Sequence, residues 1–192
     1  MKKISIFLAS SNELKEEREK FEREIYRKCK AWFSKGIFLH LDIWEDLSAR
    51  MSPTRSQDEY NTKVREADLF VLLAYSEVGM YTAEEFETAF GAFQTTQKPF
   101  IFTYFRYIHS DADPSLQAFK NKLKELGHFY SLYNDFDNLW IQFNKELDRL
   151  LLEDFKEFKF AYDEDKPNRT ITQGKKSVYL ERPEGNVNID IS

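Results

Sequence analysis

The chain has a single cysteine in 192 residues. Cys29 has no partner for an internal disulfide, so the fold is not stapled, and the chain fits a reducing, cytoplasmic compartment. Six glycines and five prolines mark few turns. That argues against a hairpin-rich all-β chain and for a helix-rich α/β one. No apolar run reaches 18 residues, which excludes an ordinary spanning helix. The apolar run near the start is short and lacks a cleavage pattern, so a first strand rather than a leader is expected there.

Motifs are scarce too. Three histidines are scattered and the one cysteine falls mid-helix, so no metal-ligand spacing is present. There is no G-x-G-x-x-G, no Walker pattern and no G-x-S-x-G elbow. Net charge is −5, without a long Lys/Arg block. Phosphate-neutralising nucleic-acid contacts need such a block. The Lys and Arg residues of 15–30 alternate with Glu at helical spacing, as on a solvated helix face.

What the chain has is aromatic and charged residues, 16% and 32% of the total, with 18 Phe and 10 Tyr. This length can bury a core without staples. Apolar runs at 4–10, 37–44, 67–75, 98–105 and, more weakly, 128–133 suggest five strands. Helical patterns alternate with them near 13–35, 54–66, 82–95, 115–126 and 137–159. "SSNE" from Ser10 to Glu13 has the spacing of a capping box for the first helix. Composition shifts after 160. Residues 1–160 are expected to form the domain and 161–192 an appendage with two short strands.

Five strand–helix alternations predict an open parallel sheet with helices on both faces, and right-handed crossovers leave few topologies. The expectation is α/β, a flavodoxin-like five-stranded sheet in the order 2-1-3-4-5. Ligands then bind beyond the carboxyl ends of the strands, near the switch between strands 1 and 3. Ser10 and Ser11 follow strand 1, Trp44 and Glu45 follow strand 2, and Tyr75 and Ser76 follow strand 3. The acidic stretch "VGMYTAEEFETAF", residues 78–90, comes next. An indole for stacking, hydroxyls for ribose and phosphate, and a carboxylate would suit a nucleotide-like ligand. Each also has a structural role open to it: the serines as caps, Trp44 as a core or edge residue, Glu84 as a partner of the helix dipole. Glu87 lies roughly 200° from Glu85 around the helix, on another face. Phe86, Ala89, Phe90 and Phe93 recur at helical spacing as core.

"KISIFLASS" with its charged helix, "DIWED" with a polar loop, and "ADLFVLLAYS" with an early Glu in the next helix resemble a TIR domain. This is the Toll/interleukin-1 receptor family, and the resemblance is closest to its bacterial effectors. It covers about residues 1–155. "YTAEEF" resembles the W-C-x-x-E-L helix start of many TIR domains, with Tyr81 in the Trp place, Thr82 in the Cys place, Glu85 in the Glu place and Phe86 in the Leu place.

The resemblance implies cleavage of the nicotinamide–ribose bond of NAD+, with Glu85 as the catalytic carboxylate and NAD+ as substrate, no cofactor being required. Ser10, Ser11, Trp44, Glu45, Tyr75, Ser76 and Tyr81 are then expected around the substrate. It also implies a homo-oligomer formed through the 45–57 loop and a defence role, with a sensor domain or partner beyond the C-terminus. TIR domains include adaptors that only self-associate, which is one alternative. Nucleoside deoxyribosyltransferases give a cousin signal in "ADLFVLL" and "EEFETAFGAFQTTQKPF", and they too break an N-glycosidic bond with a carboxylate.

Overall fold

The third apolar run is the centre of the molecule. In the computed structural model, which describes residues 1–44, 56–108 and 112–153, Leu69–Ala74 forms a strand buried at every position. It is flanked on both sides by parallel neighbours. The elements in chain order are β1 (Lys2–Ser10), a 3-10 turn (Asn12–Leu14), α1 (Lys15–Phe33), β2 (Ile37–Asp42), α2 (Ser56–Glu66) and β3 (Leu69–Ala74). They continue with α3 (Met80–Thr96), β4 (Phe100–Arg106), α4 (Pro114–Glu125), β5 (Ser131–Tyr133) and α5 (Phe136–Glu153). The sheet order is β2-β1-β3-β4-β5, with all four pairings parallel. The expected α/β flavodoxin-like arrangement is therefore the observed one.

A strand alternates its side chains between faces, so β3 feeds two cores. Leu69, Val71 and Leu73 join Phe21 and Ile25 of α1 and Leu139, Phe143 and Leu147 of α5. Phe70, Leu72 and Ala74 join Val64 of α2, Phe86 and Ala89 of α3, and Leu116, Phe119 and Leu123 of α4. The predicted aromatic stripe of α3 divides by depth. Phe86 and Ala89 are fully covered, while Phe90 and Phe93 are half-buried.

Local signals set the helix ends. Gly36, at φ 73°, and Gln97, at φ 61°, take the left-handed conformation that closes α1 and α3. Asp113 caps α4 by accepting from Ser115 N at 2.8 Å, with Pro114 in the first turn.

Three expectations are corrected. The fifth strand is only Ser131–Tyr133, since 128–130 lead into it without pairing. The "SSNE" capping box does not form. A 3-10 turn intervenes before α1, and neither turn nor helix has a side-chain cap bond. Glu13 is drawn across to the loop after β3 instead. Helix α3 begins at Met80, two residues before the expected start. The appendage at 161–192, residues 154–159 of the last predicted helix, and Glu45 with most of the 45–57 loop lie outside the described residues. Among the described residues, no helix is long and apolar enough to cross a membrane, and no group of three or more His, Cys, Asp or Glu could hold a metal ion.

Candidate active site

Strands β1 and β3 are neighbours whose outgoing chains diverge, β1 to α1 on one face and β3 to α3 on the other. The gap between them at the carboxyl rim is the switch point of such a sheet. A cavity of about 450 Å³ opens there. Ser10 at the end of β1, Ser11 and Asn12 after it, Trp44 after β2, Gln57 and Tyr60 of α2, and Tyr81, Thr82 and Glu85 of α3 line it. Five of the predicted site residues thus meet in one cavity: Ser10, Ser11, Trp44, Tyr81 and Glu85.

Tyr75 and Ser76, expected beside the substrate, do not line it. Arg106 stands over the Tyr75 ring, 5.0 Å from its centroid, and Tyr75 packs against the α1/α5 core. Ser76 is taken by Glu13, whose carboxylate accepts from Ser76 N at 2.7 Å and Ser76 Oγ at 2.5 Å. The same carboxylate accepts from Ser11 Oγ at 3.2 Å. Glu13 thereby ties the β1 loop to the β3 loop at the cavity mouth, where Glu77 rather than Ser76 faces inward.

Helix geometry selects the carboxylate. Tyr81 and Glu85 are four apart and Thr82 and Glu85 three apart, so they share one face. That face meets the cavity. Because α3 starts at Met80, Glu84 and Glu85 lie beyond the first turn, where the dipole effect fades. Their environments need other causes. Glu84 Oε1 accepts from Asn61 Nδ2 at 2.9 Å. Glu87 pairs with Lys122 on the outer surface. Glu85 is 7% exposed, and burial pushes its carboxyl from 4.5 up to about 7, assisted by the nearby Glu84 charge and opposed by a hydrogen bond from the Gln57 side chain. A desolvated carboxylate poised near neutrality in a cavity is the pattern of a functional acid rather than of a surface pair.

Behind the wall stands a residue that had not been expected. Arg18 of α1 is 1% exposed. Its Nη1 donates to Ser10 Oγ at 2.7 Å and to the Ser11 carbonyl at 2.9 Å. Its guanidinium carbon stands 5.3 Å from the centroid of the Trp44 ring. Arg18 therefore backs three lining residues at once. The sequence did carry a sign of this: Leu14, Arg18, Phe21 and Ile25 recur on one helical face, and the other three are core. An arginine in an apolar stripe needs a buried partner.

Thr82 Oγ1 donates to the Ser10 carbonyl at 3.3 Å, closing α3 onto the end of β1. Asp68, just before β3 in the stretch that resembles the deoxyribosyltransferase outline, is used at the opposite rim. It accepts from Ser5 N at 3.0 Å and Lys98 Nζ at 2.8 Å.

No protein-family model matches the chain, and no curated protein matches it. Among solved structures, the chain is similar to the crystal structure of RosB with bound intermediate OHC-RP (8-demethyl-8-formylriboflavin-5'-phosphate). That match has 13% identity and a TM-score of 0.32, over 99% of this chain and 100% of the other. A likeness at that level carries no argument about ligand or chemistry.

Proposed function

We propose that this protein is an NAD+ nucleosidase of the TIR type, with Glu85 as its catalytic carboxylate. The observation that carries the reading is the place of Glu85. It is a desolvated carboxylate in the switch-point cavity, beside hydroxyls and an exposed indole. The resemblance of "YTAEEF" to the TIR helix start picks out the same residue.

The chemistry asks for such a group. Nicotinamide leaves NAD+ as a neutral base, so no general acid is needed. As the ribosyl C1′–nitrogen bond breaks, its electron pair goes to the ring and positive charge builds on the ribose. An ionised carboxylate in a site of low dielectric stabilises that charge. Water then forms the new C1′–oxygen bond and gives its proton to solvent, or an adenine nitrogen of the same molecule closes a cyclic product. Glu85 near neutrality suits this role, since the approach of a pyridinium-bearing ligand favours its charged form.

On this reading the protein is an assembly-activated defence effector, with the 45–57 loop at the contact between copies. The test is nicotinamide release from NAD+ by wild type and Glu85→Gln over a range of protein concentrations. Release that rises with concentration and is lost in Glu85→Gln by at least about a hundredfold supports the proposal. No release, with self-association intact, would make the domain an interaction module. Base exchange on deoxynucleosides in place of NAD+ cleavage would make it a transferase.

A further inference from the structure

The bond between Arg18 and Ser10 fixes the direction of a hydrogen bond. A guanidinium has donors only. Ser10 Oγ is therefore the acceptor at 2.7 Å, and its own proton must go elsewhere. Among the described residues, no acceptor takes it. Ser10 lines the cavity, so the proton has a site to serve. A hydroxyl that accepts from a cation is also polarised into a stronger donor.

We infer that Ser10 Oγ–H is held by Arg18 as a hydrogen-bond donor for a phosphate oxygen, making this wall of the cavity the diphosphate subsite of a nucleotide ligand. The inference deepens the proposed function and rests on its nucleotide ligand. Phosphate is favoured over a neutral carbonyl because an ionised oxygen is the stronger acceptor for a hydroxyl polarised in this way. The indole of Trp44 is attached to the same guanidinium. A stacking surface and an anion donor are thus set side by side by one residue. Arg18 is a positioning residue here; Ser10 is the group that touches ligand.

The test is binding of ADP and of adenosine, which differ only in the diphosphate, to the full chain by calorimetry. Wild type is expected to prefer ADP by at least about tenfold, the scale of a charge-assisted hydrogen bond. Ser10→Ala is expected to erase most of that preference while leaving adenosine unchanged, and Ser10→Thr, which restores the hydroxyl, to recover it. A purely structural serine would weaken both ligands together. Equal losses for the two ligands, an unchanged preference in Ser10→Ala, or no preference in wild type overturns the inference. Nicotinamide release is read separately. If wild type cleaves NAD+ while Ser10→Ala keeps its ADP preference, the subsite falls and the function stands. If the Ser10-dependent preference is present without cleavage, the subsite stands and the function falls.

Discussion

Glu84 and Glu85 are consecutive in α3, yet they are held in opposite ways. Glu84 reaches sideways to Asn61 of α2, 2.9 Å from its amide nitrogen. Glu85 turns into the cavity, 7% exposed. The separation follows from the helix: adjacent residues project about 100° apart, so Glu84 meets Asn61 in the second turn of α2, while Glu85 meets Gln57 at the start of α2, on the cavity side. Of the acidic side chains in "YTAEEFETAF", only Glu85 combines burial with access to a ligand-sized space.

This placement sets a pH dependence. Cleavage through Glu85 requires the carboxylate, and burial raises its carboxyl to about 7. The value of kcat/KM for NAD+ is expected to rise about tenfold per pH unit below that value and to level off above it. A pH–rate profile measures this. A profile already flat from pH 5 to 8 would assign the chemistry to another group.

The same shift has a cost in stability, with a definite sign. Below about pH 4.5, the ordinary value for this group, Glu85 is protonated in both the folded and the unfolded chain. As pH rises, the unfolded chain releases its proton first, and stability falls until the folded-state value of about 7 is passed. The loss is then at most about 3 kcal/mol. Glu85→Gln escapes it. The variant is expected to melt several degrees above wild type at pH 8 and to match it near pH 4, as read by thermal unfolding. Greater stability together with lost activity is the signature of a group kept for function.

Much of this architecture was legible in the sequence because it rests on local pattern. The continuous apolar run of β3 read as the central strand, covered on both faces, and alternation with helices left few sheet orders, of which the expected one formed. The position of Glu85 was legible for the same reason, through the strand–loop–helix sequence around it. What escaped were pairings made across the fold. Glu13 looked like a helix cap because its spacing from Ser10 is right, but donors on the β3 loop claim its carboxylate. Tyr75 was lost to Arg106 at the end of β4, a partner 31 positions away. Gln57 and Tyr60 reach the cavity because α2 packs against α3, which periodicity within α2 does not encode. Arg18 stood in plain view within an apolar stripe, but its partner could be known only once β1 and α1 were folded together.

The Glu13 tie is itself testable. Its carboxylate holds the hydroxyl of Ser11 and the backbone and hydroxyl of Ser76. The two bonds from Ser76 are exposed and the one from Ser11 is part-buried, so together they are worth little beyond what water returns. Glu13→Ala is expected to cost about 1 kcal/mol in urea unfolding. Its larger effect falls on the site, because the two loops that border the cavity lose their common anchor. KM for NAD+ is expected to rise several-fold with kcat changed less. An unchanged KM would show that the loops are held by the sheet alone.

Trp44 tests whether the cavity wall stacks a base. The ring is 44% exposed, so its removal leaves no core cavity and little stability is at stake. It lies in the cavity lining, on the guanidinium that also holds Ser10. Stacking of a base on an aromatic ring is worth roughly 1–3 kcal/mol by alanine substitution. Trp44→Ala is therefore expected to weaken NAD+ and ADP binding by about tenfold or more. Trp44→Phe, which keeps a ring, should retain most of the affinity. Stacking far from the breaking bond acts alike on the bound substrate and the transition state, so KM should rise while kcat holds. If kcat fell instead and KM held, the indole would belong beside the nicotinamide ribose, close to Glu85, and the base would have to stack elsewhere. Steady-state kinetics on the two Trp44 variants separate these arrangements, and the calorimetric affinity for ADP, which has no nicotinamide end, checks the choice independently.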